Sequence, residues 1–138
     1  MVRAEHKSLA LILTRDLASN LATPLFIVDP EGTLVFYNEP AEAVLGKRYA
    51  EAGELSADDW SGAMFDPQDE TGRTMRPREM PLGIALSEHR PAHGRMSITG
   101  LDGLRRTIEV TAFPLFARSN EVAGAVAIFW EDRGDAPE

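Results

Sequence analysis

The stretch from Leu104 to Trp130 limits the possible folds of this chain more than any other. It holds two apolar-rich runs, Thr107 to Phe116 and Val122 to Trp130, parted by Ala117-Arg118-Ser119-Asn120-Glu121. Ser and Asn bond readily to their own backbone and suit a tight reversal, so the stretch predicts a β-hairpin. In the first run Ile108, Val110 and Ala112 alternate with Thr107, Glu109 and Thr111, the pattern of a half-buried strand. In the second, Ala125, Ala127 and Phe129 point one way while Val126, Ile128 and Trp130 point the other. A strand that is apolar on both faces needs cover on both and belongs in the middle of its sheet. The rest of the chain must therefore supply two covering layers.

One layer is available at the start of the chain. From Val2 to Leu21 there is no Pro or Gly, and Leu9, Ile12, Leu13, Leu17 and Leu21 recur at three- and four-residue spacing. This spacing predicts an amphipathic helix. A helix of this length is marginal in water unless its apolar stripe is buried, so it is expected to lie over Val126, Ile128 and Trp130. The same stripe would also serve a coiled-coil linker, and both roles are compatible in a dimer.

The second layer must come from the middle of the chain. Thr23-Pro24 ends the first helix, because the residue before Pro is pushed out of the helical region. Leu25 to Asp29 and Thr33 to Tyr37 read as a hairpin around Pro30-Glu31-Gly32. Asn38 is placed as the N-cap of a short helix, Glu39 to Leu45, which Gly46 stops. Trp60, Met64 and Phe65 suggest a further helical turn, followed by an exposed loop from Asp66 to Gly72. Glu79 to Glu88 resumes a helical pattern, and Gly94 to Thr99 reads as a strand that Leu101-Asp102-Gly103 turns back into the opening hairpin. The order predicts an α+β fold, a five-stranded antiparallel sheet with short helices on one face and the N-terminal amphipathic helix on the other. Expected boundaries are 1–22 for that helix, 23–132 for the domain and 133–138 for a frayed tail.

Composition narrows the functional classes. The 138 residues suffice for one domain with a core of its own. Fourteen Lys and Arg against twenty-two Asp and Glu leave a net charge of −8, which repels phosphate backbones and anionic lipid, so neither nucleic acid nor membrane is an expected partner. Cysteine is absent, which excludes disulfides, thiolate nucleophiles and Cys-based metal sites. Arg3, Glu5, His6, Lys7, Arg15 and Asp16 interrupt any signal-peptide core, and the expected location is cytoplasmic. Asp66, Asp69 and Glu70 lack EF-hand spacing, so no metal site is expected. There is also no Gly-rich phosphate loop and no nucleophile elbow.

Several of these pieces, in this order, resemble a PAS domain. Leu25-Phe26-Ile27-Val28-Asp29-Pro30-Glu31-Gly32 resembles its first strand and acidic-Gly turn. Phe36-Tyr37-Asn38-Glu39-Pro40-Ala41 resembles the capped strand-to-helix junction, and Gly124 to Glu131 the last strand. Arg76 to Leu82 and Leu101-Asp102-Gly103 fit the connecting helix and the later hairpin, so the resemblance spans about Leu21 to Asp132. It implies a sensory or protein-interaction module acting on a downstream signalling module or protein, and not an enzyme. It also implies a cleft between sheet and helices, held by haem, flavin, an organic or fatty acid, or nothing.

Strand alignment by the same motifs puts Phe26, Val28, Met96, Ile98, Ile108, Val110, Ala112, Ala127 and Phe129 on the cleft face. These residues would either fill a core or line a pocket for a small hydrophobic ligand, with Ala112 and Ala127 leaving room. A flavin's amide edge needs Asn or Gln, but Ile98, Ile108 and Phe129 occupy the matching positions. Haem is the sharper alternative, through His89 near the end of the connecting helix, although Glu88, Arg90 and Pro91 also suit an exposed capping histidine. A small enzyme using His89 or His93 is the rival from another class. The outward residues Leu25, Ile27, Phe113, Val126, Ile128 and Trp130 form more apolar surface than one helix covers. A homodimer is therefore expected, with Leu9, Ile12, Leu13, Leu17, Ile128 and Trp130 at its interface.

Overall fold

The computed structural model describes residues 3–53, 55–61, 65–118 and 121–132. Helix α1 spans Arg3–Ala18, followed by the hairpin of β1, Leu25–Val28, and β2, Leu34–Tyr37. Three short helices come next, α2 at Glu39–Leu45, α3 at Tyr49–Ala52 and α4 at Ala57–Ser61. A single 3-10 turn at Pro77–Glu79 leads into α5, Pro81–Glu88. Three long strands close the chain, β3 at Ala92–Thr99, β4 at Arg105–Arg118 and β5 at Glu121–Glu131.

The five strands form one antiparallel sheet in the order β2-β1-β5-β4-β3. The doubly apolar strand β5 is central, flanked by β1 and β4 as its two-sided pattern requires. Local chemistry sets the turns. Asp29 accepts from the Glu31 and Thr33 N–H groups at 2.9 and 3.0 Å, which closes the β1–β2 turn. Gly46 sits at φ 86° as the C-cap of α2, and a Cβ there would press on the Asp102 carboxylate at 2.6 Å. Only glycine combines that left-handed backbone with so close an approach of the β3–β4 turn.

The two layers bury separate clusters. On one face α2, α4 and α5 cover Phe26, Val28, Met96, Ile98, Ile108, Val110, Ala112, Ala127 and Phe129. On the other, Leu11 and Ala18 of α1 pack on Leu25, Ile27 and Val126, with Phe113 and Ile128 partly buried beside them.

The side of α1 that meets the sheet differs from the one its leucine spacing predicts. Ile12, Leu13 and Leu17 are 51, 60 and 60% exposed, while Leu11 and Ala18, seven residues apart, face the strands. The reason is steric. Small Ala18 is fully buried, and Leu11 reaches within 3.1 Å of the position a Cβ on Gly124 would take. The helix thus rests on the stripe of Leu11 and Ala18, and Ile12, Leu13 and Leu17 face away. Trp130 is 44% exposed and lies outside the α1 cluster, which corrects its expected burial under the helix. The side chain of Leu9 and the whole of Met64 lie outside the described residues.

Candidate functional site

A cavity of about 70 Å³ lies between the sheet and the short helices. Its sheet wall is Phe26 of β1, Met96 and Ile98 of β3, Ile108 and Val110 of β4, and Ala127 and Phe129 of β5. The opposite wall is Leu45 of α2, Trp60 of α4, Phe65, and Met80, Pro81 and Leu82 where α5 begins.

Seven of the nine cleft-face residues expected from the sequence therefore line one space. Val28 and Ala112 do not line it, although both are fully buried in the same core. Val28 is paired with Ala125 of β5, and Ala112 with Ala92 of β3 and with Ala127 of β5. The helix-side wall was not legible as a site. In the sequence Trp60 and Phe65 suggest only a helical turn, and Met80 and Leu82 fall only within a helical pattern.

Every lining residue is apolar except for the Trp60 indole N–H, and that donor is already engaged with the Gly32 carbonyl at 2.6 Å. The bond ties α4 to the β1–β2 turn and fixes the ring, which meets Phe26 edge to face at 5.9 Å between centroids. Phe26 in turn stacks parallel to Tyr37 at 6.3 Å. Burial, and next the nearby Glu42 carboxylate, push the Tyr37 phenol up to about 12, so it stays neutral and donates to the Lys47 carbonyl at 2.6 Å. An apolar space of this size takes up no water readily, because water there would find no hydrogen-bond partner.

Haem and flavin do not fit these walls. No imidazole lines the cavity. His89 is exposed, with left-handed backbone at φ 57° as the C-cap of α5, its N–H bonded to the Ala85 carbonyl. It thus has the helix-ending role that its polar sequence neighbours suggested. The flavin amide edge would meet Ile98, Ile108 and Phe129, which offer neither donor nor acceptor. His93 sits on the opposite sheet face, its Nδ1 2.7 Å from Thr111 Oγ1 and its Nε2 3.0 Å from Glu109 Oε1.

The acidic loop is divided among separate partners. Asp66 meets Arg105 at 3.2 Å, Asp69 holds Thr71 and Arg73, and Glu70 faces Arg95 at 4.0 Å. Among the described residues no three His, Asp or Glu side chains converge as metal ligands.

One residue exceeds its sequence reading. Asn38 does cap α2, accepting from Ala41 N–H at 3.2 Å, and the same oxygen accepts from Leu25 N–H at 3.0 Å. Its Nδ2 donates to the carbonyls of Ala18 and Thr23, both at 2.9 Å. The capping pattern could reveal the first bond, while the other three depend on where distant chain segments lie.

The family model described as PAS fold matches residues 18–132. No curated protein sequence matches the chain. Among solved structures, the PAS domain of a Colwellia psychrerythraea protein is similar at 16% identity and a TM-score of 0.63, covering 88% of this chain and 96% of that one. The PAS domain of nitrogen regulation protein NR(II) from Vibrio parahaemolyticus is similar at 15% identity and a TM-score of 0.60, covering 87% and 98%. The Rhodobacter sphaeroides LOV protein is similar at 14% identity and a TM-score of 0.68, covering 88% and 67%. At such identities the likeness speaks to the fold alone.

Proposed function

We propose that this chain, which belongs to the PAS-fold family over residues 18–132, is a sensory and interaction module of cytoplasmic signal transduction whose cavity takes a small, neutral, apolar molecule. The observation that carries the ligand reading is the apolar cavity between sheet and helices. No acid, base or nucleophile lines it, so binding rather than catalysis suits the walls. A carboxylate or a flavin would leave its polar groups without partners there. An apolar cavity of about 150 Å³ is known to accept benzene or xenon. The present space, at about 70 Å³, suits a smaller occupant, and the flexible thioethers of Met80 and Met96 allow modest widening.

Xenon under pressure, followed by methyl NMR, tests this reading. Signals from Ile98, Ile108 and Val110 are expected to shift saturably in the wild type and to stay still in Ala127→Leu, which fills the space. The substitution should cost under about 1 kcal/mol, whereas a fully packed site would lose about 1 to 3 kcal/mol. Static wild-type signals together with a strongly destabilised variant would overturn the ligand reading. Mass spectrometry of the native protein then asks whether an apolar molecule co-purifies.

A second reading concerns assembly. Ile12, Leu13 and Leu17 form an apolar stripe on α1 directed away from the sheet, and Trp130 adds exposed aromatic surface. We assign this stripe to a homodimer in which two copies of α1 pack across a two-fold axis, the commonest oligomer symmetry. The signal would pass from that pair to a downstream module. No described helix is long and apolar enough to cross a membrane, and the net charge of −8 disfavours anionic lipid and nucleic acid as partners.

A further inference from the structure

We infer that Asn38 is a divided latch, one half of its side-chain amide holding α1 to the domain and the other half holding the core, so that α1 can detach as a unit while the core stays folded. The side chain is 1% exposed and makes four hydrogen bonds. Both acceptor bonds serve the core, from Leu25 at the start of β1 and Ala41 in the first turn of α2. Both donor bonds serve the exit from α1, to Ala18, its last residue, and to Thr23 in the linker. The network fixes which amide atom is which, because the reverse orientation would set the NH2 group against two N–H donors and the oxygen against two carbonyls.

Other attachments of α1 lie along its length. Leu11 and Ala18 are its buried apolar contacts among the described side chains, and the Arg15 guanidinium lies 4.6 Å from the Phe36 ring centroid. A terminal helix docked on one face of a sheet belongs to the low-stability end of a structure, where sub-global opening occurs. Once undocked, a 16-residue helix is marginal in water. Release would also bare Ile27 and Val126, both almost fully buried under α1. The latch stands beside the cavity wall, since Leu25 precedes Phe26 and Tyr37, stacked on Phe26, precedes Asn38. It rests on hydrogen-bond geometry and holds whether or not the cavity takes a ligand.

Asn38→Asp separates the two halves. At pH 7 a carboxylate keeps the acceptor role toward Leu25 and Ala41 and cannot donate to Ala18 or Thr23. Amide hydrogen exchange across α1 should accelerate by about ten- to a hundredfold, as expected for the loss of two buried bonds, while β4 and β5 keep wild-type protection. Equal acceleration in helix and strands, or no change in α1, would overturn the latch. If the variant does not fold, exchange in the wild type decides. The α1 amides should then open together, at lower denaturant than those of β5. Exchange of α1 only through global unfolding would rule the proposal out.

Discussion

At the scale of single residues, the carboxylate of Asp102 organises the turn between β3 and β4. It accepts from the Arg106 guanidinium at 3.1 and 2.9 Å and from the Leu104 N–H at 3.1 Å. The Arg106 bonds, followed by that from Leu104, lower its pKa from 3.8 to about 2. A depressed carboxylate pKa contributes stability that is full above the unfolded value and is lost as pH falls through the folded one. The contribution of Asp102 is therefore expected to fade between 3.8 and about 2. Urea midpoints measured across that range should fall more steeply for the wild type than for Asp102→Asn, and parallel curves would remove Asp102 from the acid response. The same turn docks on α2 through Leu101 N–H to the Leu45 carbonyl at 2.6 Å, so the loss reaches an element that bounds the cavity.

At the scale of elements, the meeting of β5, β1 and α1 depends on Gly124. Its φ is 146°, and a Cβ would run into the Val28 carbonyl oxygen and approach Leu11. L side chains rarely adopt that backbone, and the neighbouring strand leaves no room for one. Gly124→Ala is expected to cost about 2 kcal/mol or more, as a left-shifted urea midpoint with an unchanged slope. A loss under about 0.5 kcal/mol, the level of an ordinary surface substitution, would refute the close-approach account. The absence of a side chain at Gly124 leaves room for Leu11 of α1 against the strands, and the small Ala18 lets the end of the helix approach them.

At the scale of the whole molecule, the two faces of the sheet take different roles. One face encloses the cavity and the other carries a helix whose leucine stripe points outward. Exposed Leu13 and Leu17 make the proposed dimer testable without disturbing the core. Leu13→Glu combined with Leu17→Glu should convert a dimer to a monomer by light scattering, with helical circular dichroism retained. A wild type that is monomeric at high concentration, or a double variant that stays dimeric, would sink the interface. Neither residue belongs to the cluster that α1 buries on the sheet, so loss of fold is not the expected outcome.

The sequence alone was sufficient for whatever depends on neighbouring residues. Apolar runs bounded by turn residues identified the five strands, apolarity on both faces placed β5 at the centre, and Asn38 and Gly46 bounded α2 at Glu39–Leu45. The cleft face was also largely legible, because period-two alternation assigns a whole strand to a face once one residue is placed. Other features depended on distance in space. Which stripe of α1 met the sheet was decided by the close approach at Ala18 and Gly124, which leucine spacing cannot report. Trp60, Phe65 and Met80 became cavity walls only when irregular segments folded back over the strands. Three of the four bonds of Asn38 go to Ala18, Thr23 and Leu25, between 13 and 20 residues away along the chain. A local pattern carries periodicity and capping because both arise within a few residues, whereas steric fit and long-range hydrogen bonds exist only after the chain has closed on itself.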